Sequence, residues 1–150
     1  MNFRLLPEWA EQDAVMLTWP HKDTDWADNL ARVEPVYIEL AKHITTQQKL
    51  VIVAHNSALK MHITALLNSA NISLNRVHFV VTPTNDTWAR DHGPLTCSAI
   101  DSPEQLKVYD FTFNGWGNKF ESALDNQINR TLVKELSSKK KPLSSARYGT

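Results

Sequence analysis

Short β-rich apolar runs alternate with helical patterns along most of this chain. Residues 14–19, 50–54 and 77–81 are apolar and are typical of buried strands. Between them, residues 32–46 and 57–69 place apolar side chains at helical spacing. Strands separated by amphipathic helices are joined by crossovers, so the pattern predicts an α/β fold with a substantially parallel sheet.

The two helical patterns also predict which side chains face the core. A cap at Asn56 or Ser57 would begin the second helix, and Pro35 fits only the first turn of the first one. The predicted inward set is Val33, Val36, Tyr37, Leu40, Ala41 and Ile44, followed by Leu59, Ile63, Leu66, Leu67 and Ala70.

The second half predicts two more strands and a helix. The strands cover residues 95–100 and 106–113, and a helix over 122–136 presents Leu124, Ile128, Leu132 and Leu136. Residues 137–150 show no period. We therefore divide the chain into one folded part, residues 1–136, and an irregular tail, residues 137–150.

Charge and apolar content exclude several classes of protein. The 150 residues carry 16 basic and 16 acidic side chains, which argues against binding nucleic acid by broad phosphate neutralisation. One cysteine excludes a disulfide framework within the chain. No apolar run approaches the ~20 residues that a bilayer requires, and no leader pattern is visible. The prediction is a cytoplasmic protein that binds neither nucleic acid nor membrane.

The strongest chemical signal is the polar stretch Asn85–Pro94, which follows a predicted buried strand. It places Asp86, Arg90, Asp91 and His92 around Trp88. A carboxylate beside an aromatic face suits a cation, and a carboxylate grips a guanidinium with two parallel hydrogen bonds. The same residues also fit a polar turn in which Arg90 forms an ordinary ion pair with an aspartate.

Two further strand ends carry tryptophan beside polar groups. Phe113–Asn118 sets Trp116 between two glycines, which allow a sharp turn or a close backbone approach to a ligand. Residues 19–23 read Trp-Pro-His-Lys-Asp, so that His21 adjoins the same predicted edge. Each segment alone also fits a packed turn, but together they favour one aromatic-lined site.

Residues 85–94 closely resemble the Asn-Asp-x-Trp-x-Arg-Asp-x-Gly-Pro motif of agmatine deiminases and the related bacterial peptidyl-arginine deiminases. Residues 7–9, 19–21 and 113–117 also look like this family, in the same order. The resemblance spans about residues 5–136. It implies part of a pentein, which is an α/β propeller of ββαβ modules.

The resemblance implies hydrolysis at a guanidinium carbon, most simply agmatine to N-carbamoylputrescine and ammonia on the way to putrescine. A cysteine thiolate attacks that carbon, and a histidine moves protons. Asp91 matches the aspartate that grips the guanidinium nitrogens, and Trp88 matches an aromatic of the substrate channel. Asp86 and Arg90 match supporting positions, Trp116 matches a loop near the site, and His21 adjoins it. No metal or other cofactor is implied, and no metal-ligand spacing is recognisable around His92.

This chain also departs from the family pattern. The family's His-x-Asp pair, its Glu-Gly-Gly segment and its nucleophilic cysteine follow the region seen here, and family chains are more than twice as long. The one thiol, Cys97, lies within a predicted strand with no adjacent base, which favours packing over catalysis. The resemblance therefore implies an N-terminal portion of the enzyme that is inactive alone.

Four interpretations of the function remain open. The chain belongs to an enzyme acting on agmatine or to one acting on peptidyl-arginine, or it is a non-catalytic module that holds a guanidinium or polyamine cation, or it is a structural or truncated product with no ligand. An incomplete propeller exposes a sheet edge, which favours pairing with another chain, including a homo-oligomer.

Overall fold

The computed structural model describes residues 2–138 and 147–149 and contains two β-sheets with helices around them. In chain order the elements are β1 (Phe3–Leu5), β2 (Ala14–Thr18), α1 (Leu30–Gln47), β3 (Lys49–Ala54), α2 (Ser57–Ser69), β4 (Val77–Val81), α3 (Ala89–His92), β5 (Leu95–Ala99), β6 (Leu106–Tyr109), α4 (Gly115–Asn118), α5 (Ile128–Ser138) and β7 (Arg147–Gly149). The predicted α/β class is confirmed.

The first sheet contains β2, β3 and β4, all parallel, with β3 in the centre. Helices α1 and α2 are the crossovers between successive strands, as the alternating pattern predicted. Asn56 caps α2, because its side-chain oxygen accepts the Leu59 N–H at 2.9 Å. The carboxyl ends of three parallel strands therefore meet at one edge.

The central strand β3 is covered on both faces, which explains its continuous apolar sequence. Leu50, Ile52 and Ala54 lie in a core shared with α1 and α2. Val53 lies in a second, smaller core with Ile128 of α5. Helices on opposite faces thus hold the three-stranded sheet between them.

The second sheet has the order β1-β5-β6-β7, antiparallel except for the β6–β7 pair. Strand β1 was not predicted, since three residues carry no readable period and its pairing with β5 is not local. Of the predicted irregular tail, the structure describes the end of α5 and the strand β7, whereas residues 139–146 and Thr150 lie outside the described residues.

Several predicted faces and boundaries were wrong. Val36 and Leu40 are 55% and 43% exposed, although Tyr37, Ala41 and Ile44 of the same predicted set do pack in the core. Leu124 is also exposed. The last helix begins at Ile128 after a 3-10 turn, and β6 ends at Tyr109, four residues early.

Membrane crossing was checked on the part of the chain that the structure describes. None of its helices combines the length and the apolar character needed to cross a bilayer.

Candidate functional site

The loop that follows β4 is held by a reciprocal pair of polar side chains. The Asn85 side-chain oxygen accepts the N–H groups of Leu124 and Asp125 at 2.8 and 3.4 Å. In return, Asp125 Oδ1 accepts the N–H groups of Asn85 and Asp86 at 2.7 and 3.3 Å. We call this four-bond arrangement the Asn85–Asp125 clamp. It fixes the start of the loop against the turn that precedes α5.

Asp125 is fully buried, and only half of its carboxyl group is hydrogen-bonded. Oδ2 has no hydrogen-bond partner among the described residues. Burial raises the pKa of Asp125 to about 6. The hydrogen bonds from the backbone of Asn85 and Asp86 act in the opposite direction and lower the pKa. The charge of Asp86 raises the pKa further. Sequence reasoning missed Asp125, because nothing in the local pattern links it to a loop 40 residues earlier.

Asp86 is buried and committed to neighbouring donors. Its Oδ1 accepts the Trp26 indole N–H at 3.2 Å and the Thr87 backbone N–H at 2.6 Å. The indole of Trp26 also donates to the Thr87 hydroxyl at 3.1 Å. Asp86 therefore shapes the loop, and Trp26, which was not predicted for the site, ties the loop after β2 to it.

Three of the predicted residues after Asp86 face outward. Arg90 and Asp91, on α3, are exposed, and Trp88 is 38% exposed. No carboxylate among the described residues forms an ion pair with Arg90, so the polar-turn alternative with an ordinary ion pair is wrong. Asp91 is thus on an open surface, three residues after the accessible Trp88.

Trp116 is presented by a short left-handed turn, α4. The four residues of this turn have φ angles of 59°, 54°, 79° and 63°. A left-handed conformation costs a non-glycine residue about 1–2 kcal/mol, and such strain is concentrated at functional sites. The Asn114 side chain accepts the Gly117 N–H at 3.0 Å and holds the turn.

The turn brings Trp116 edge-on against three aromatic rings. The ring centroids lie 4.9 Å from Trp88, 5.1 Å from Phe113 and 5.6 Å from Phe120. Trp116 remains 45% exposed. The structure therefore brings two of the predicted strand-end tryptophans together as one partly open aromatic wall.

The expectation that Trp19 belongs to this wall was wrong. Trp19 is fully buried in the core and packs edge-on against Tyr37 at 5.1 Å. Its indole N–H donates to Glu34 at 3.2 Å. Trp19, the residue after β2, thus turns into the core, whereas Trp26 of the loop that follows bonds to Asp86 and Thr87.

His21 lies at the same edge but is buried against His55 and Thr84. Its Nε2 lies 3.1 Å from the Thr84 hydroxyl, and the two imidazole rings lie 4.0 Å apart. Burial lowers the pKa of His21, and the neighbouring His55 lowers it further, whereas Asp23 and Asp86 act in the opposite direction. The sequence did not place His55 here, because it follows a different strand.

His92, the other histidine of the motif, points inward beneath the sheet. It is 1% exposed, and its Nε2 lies 3.3 Å from the Thr18 hydroxyl. Burial lowers the pKa of His92 to about 4, although Asp91 acts to raise it. A buried ring with this pKa stays neutral near pH 7.

Cys97 lies in the middle of β5, paired with Leu5 on one side and Lys107 on the other. It is partly buried and belongs to the second sheet. This position fits the packing role predicted for it.

Comparisons with known proteins identify the family and the fold. The family model for Porphyromonas-type peptidyl-arginine deiminase matches residues 4–145. An agmatine deiminase from C. jejuni, solved with substrate bound, has a TM-score of 0.79 and 32% identity over 99% of this chain and 40% of its own. A putative peptidyl-arginine deiminase of known structure has a TM-score of 0.77 and 30% identity, covering 98% and 40%. The predicted partial pentein fold is therefore confirmed.

Curated relatives give the same assignment over a limited length. An agmatine deiminase from Stutzerimonas stutzeri is 30% identical over 75% of this chain. The chain spans 28% of that protein and 31% of a putative agmatine deiminase from Selenomonas ruminantium. It corresponds to the N-terminal portion of these proteins. The chain belongs to the family of Porphyromonas-type peptidyl-arginine deiminases and agmatine deiminases.

Proposed function

We infer that this chain supplies the guanidinium-holding part of a hydrolase that removes ammonia from agmatine, leaving N-carbamoylputrescine. The observation that carries the inference is the exposed Asp91 carboxylate one helical turn from the Trp88–Trp116 wall. Carboxylate and π-face are the two groups that a guanidinium needs. The membership in the deiminase family supports the same chemistry.

Each predicted site residue then has a physical task. Asp91 accepts paired N–H bonds from the guanidinium, and Trp88 and Trp116 line the channel along its aliphatic tail. Asp86 keeps the loop in place through its bonds with Trp26 and Thr87. Arg90, which is exposed and forms no ion pair with the described residues, is available to orient a substrate, and His21 contacts Thr84 at the same edge.

The covalent chemistry requires a cysteine thiolate, and none of the residues assigned to the site above is a cysteine. In the proposed reaction a cysteine beyond this region attacks the guanidinium carbon, and ammonia leaves. Water then hydrolyses the thiouronium and releases the ureido product together with the thiolate. We expect no ammonia release from agmatine by the 150-residue chain, because Cys97 lies in the second sheet. Saturable ammonia release by the purified chain would contradict the proposal that the nucleophilic cysteine lies outside these residues.

Binding tests the proposed function on the chain as it exists. Agmatine should change the tryptophan fluorescence saturably, since two of the five tryptophans line the wall. Asp91→Asn should weaken the binding of agmatine at least about 10-fold, because the charge-assisted hydrogen bonds between carboxylate and guanidinium are lost. Putrescine, which has an amine in place of the guanidinium, should bind more weakly than agmatine.

A matched control separates a local effect from a general change of charge. Asp101→Asn makes the same substitution at an exposed position in the turn between β5 and β6, at the opposite end of β5 from the loop. It should leave agmatine binding unchanged. Equal affinities for Asp91→Asn and wild type would exclude Asp91 as the guanidinium partner.

Two questions remain: whether the substrate is agmatine or peptidyl-arginine, and whether the chain belongs to an enzyme or to a binding module. Comparing ligands answers the first, and sequencing the gene answers the second. A peptide containing arginine that binds more tightly than agmatine would favour peptidyl-arginine deimination. A reading frame that continues past codon 150 into Glu-Gly-Gly, His-x-Asp and a late cysteine would favour the enzyme. A frame without them would favour a binding module for guanidinium or polyamine cations. We propose a cytoplasmic location and self-association on the grounds given for the sequence.

A further inference from the structure

Three metal-ligating side chains converge at the carboxyl edge of the parallel sheet. His21 and Asp23 follow β2, and His55 follows the adjacent strand β3. One potential ligand atom from each lies within 4.8 Å of the other two. Adjacent parallel strands bring these residues together, although 34 positions separate the two histidines, so no ligand spacing is visible in the sequence.

We propose that His21, Asp23 and His55 bind one divalent transition-metal ion of the Zn²⁺ class. Two imidazole nitrogens and one carboxylate oxygen form a ligand set that suits Zn²⁺ and its neighbours in the first transition series. Asp23 is 62% exposed, so the fourth position opens to water.

Thr84 orients both rings for this role. Its hydroxyl lies 3.1 Å from His21 Nε2, and its carbonyl oxygen lies 3.2 Å from His55 Nδ1. When each of these nitrogens donates its N–H to Thr84, His21 Nδ1 and His55 Nε2 keep their lone pairs for a metal. Hydrogen bonds of this kind typically fix the tautomer of a metal-binding histidine.

The other contacts of these nitrogens define what binding must displace. The Asp23 backbone N–H lies 3.4 Å from His21 Nδ1, and the Thr84 N–H donates to His55 Nδ1 at 3.0 Å in the alternative tautomer. Metal binding therefore selects one of two tautomers of His55.

The ligand atoms must also move closer together. His21 Nδ1 and Asp23 Oδ2 are 3.9 Å apart, whereas ligands about 2.0–2.2 Å from a tetrahedral Zn²⁺ lie roughly 3.3–3.5 Å from one another. The exposed Asp23 side chain closes this gap by rotation. The two rings, now tilted with planes 32° apart and centroids 4.0 Å apart, must splay so that both nitrogens aim at one ion.

Isothermal titration of the chelator-treated 150-residue chain with Zn²⁺ tests the proposal. We expect one ion per chain, and a Co²⁺ complex with the intense visible absorption of tetrahedral coordination. His55→Gln should weaken the binding of Zn²⁺ at least about 10-fold. Asp23→Asn should weaken Zn²⁺ binding as well, and the Asp23 side chain is too exposed for its replacement to affect folding. These readouts do not involve deimination, so they stand or fall independently of the proposed function.

His43 provides the matched control. It is 78% exposed and lies 3.7 Å from Glu39, so it offers a histidine–carboxylate pair without a third ligand. His43→Gln should leave the affinity unchanged. Loss of affinity in His43→Gln, unchanged affinity in both Asp23→Asn and His55→Gln, or the absence of stoichiometric binding would overturn the proposal.

Discussion

Gly115→Ala is expected to lower the free energy of unfolding by at least about 3 kcal/mol and to disorder the aromatic wall. Gly115 is buried at φ 59°, and a Cβ built on it would overlap the backbone carbonyl of Phe120. Backbone cannot move aside as the end of a side chain can. Urea unfolding measures the loss, and near-ultraviolet circular dichroism reports on the Trp88–Trp116 pair.

Gly117→Ala is the control within the same turn. Gly117 has an even larger positive φ, 79°, but a Cβ there meets nothing within 4 Å. The substitution should lower the free energy of unfolding only by the cost of a left-handed conformation for alanine, about 1–2 kcal/mol. Equal losses for the two variants would show that the turn is limited by backbone conformation alone and that the contact with Phe120 is unimportant.

Asp125→Asn is expected to change how stability depends on pH. The pKa of Asp125 is raised from 3.8 to about 6 on folding, so its contribution to stability is complete below pH 3.8 and is lost as the pH rises toward 6. The variant keeps an oxygen for the clamp and loses this titration. Between pH 4 and 7, its stability should therefore rise by about 3 kcal/mol relative to wild type.

His92 has the opposite effect over nearly the same range. Its pKa falls from 6.5 to about 4 on folding, so stability is gained as the pH rises from 4 to 6.5. In wild type the two contributions largely cancel. As the pH rises over that range, the free energy of unfolding of His92→Gln should fall by about 3 kcal/mol relative to that of wild type.

Chemical unfolding of the variants at several pH values checks both directions. If the pH profile of Asp125→Asn ran parallel to that of wild type, Asp125 would be titrating at its ordinary pKa, and the buried half of its carboxyl group would be solvated.

The parallel sheet and its crossovers were predictable, whereas the second sheet was predictable only in part. Residues 50–54 form a continuous apolar run because two cores cover β3, so that run was informative by itself. Strand β1 contains three residues, and only its pairing with β5 makes it a strand. A short edge strand has no period from which it can be read.

The candidate site divides in the same way. Asp91, Trp88 and Trp116 were found because a local motif contains them, and their roles remain predictions. Asp125, Trp26 and His55 were missed because each contacts the loop across a long separation in sequence, 60 residues for the bond between Trp26 and Asp86. Trp19 was misplaced because the pattern does not show on which side of the sheet a strand end turns.

The Asn85–Asp125 clamp also sets an order of assembly on the ribosome. Synthesis proceeds from the N-terminus, so residues 14–81, which contain the whole three-stranded layer, emerge first. The clamp joins positions 40 residues apart, and its second half is made only when Asp125 leaves the ribosome. A nascent chain therefore has all three parallel strands available before it can fix the start of the loop that carries Asp91 against the turn that precedes α5.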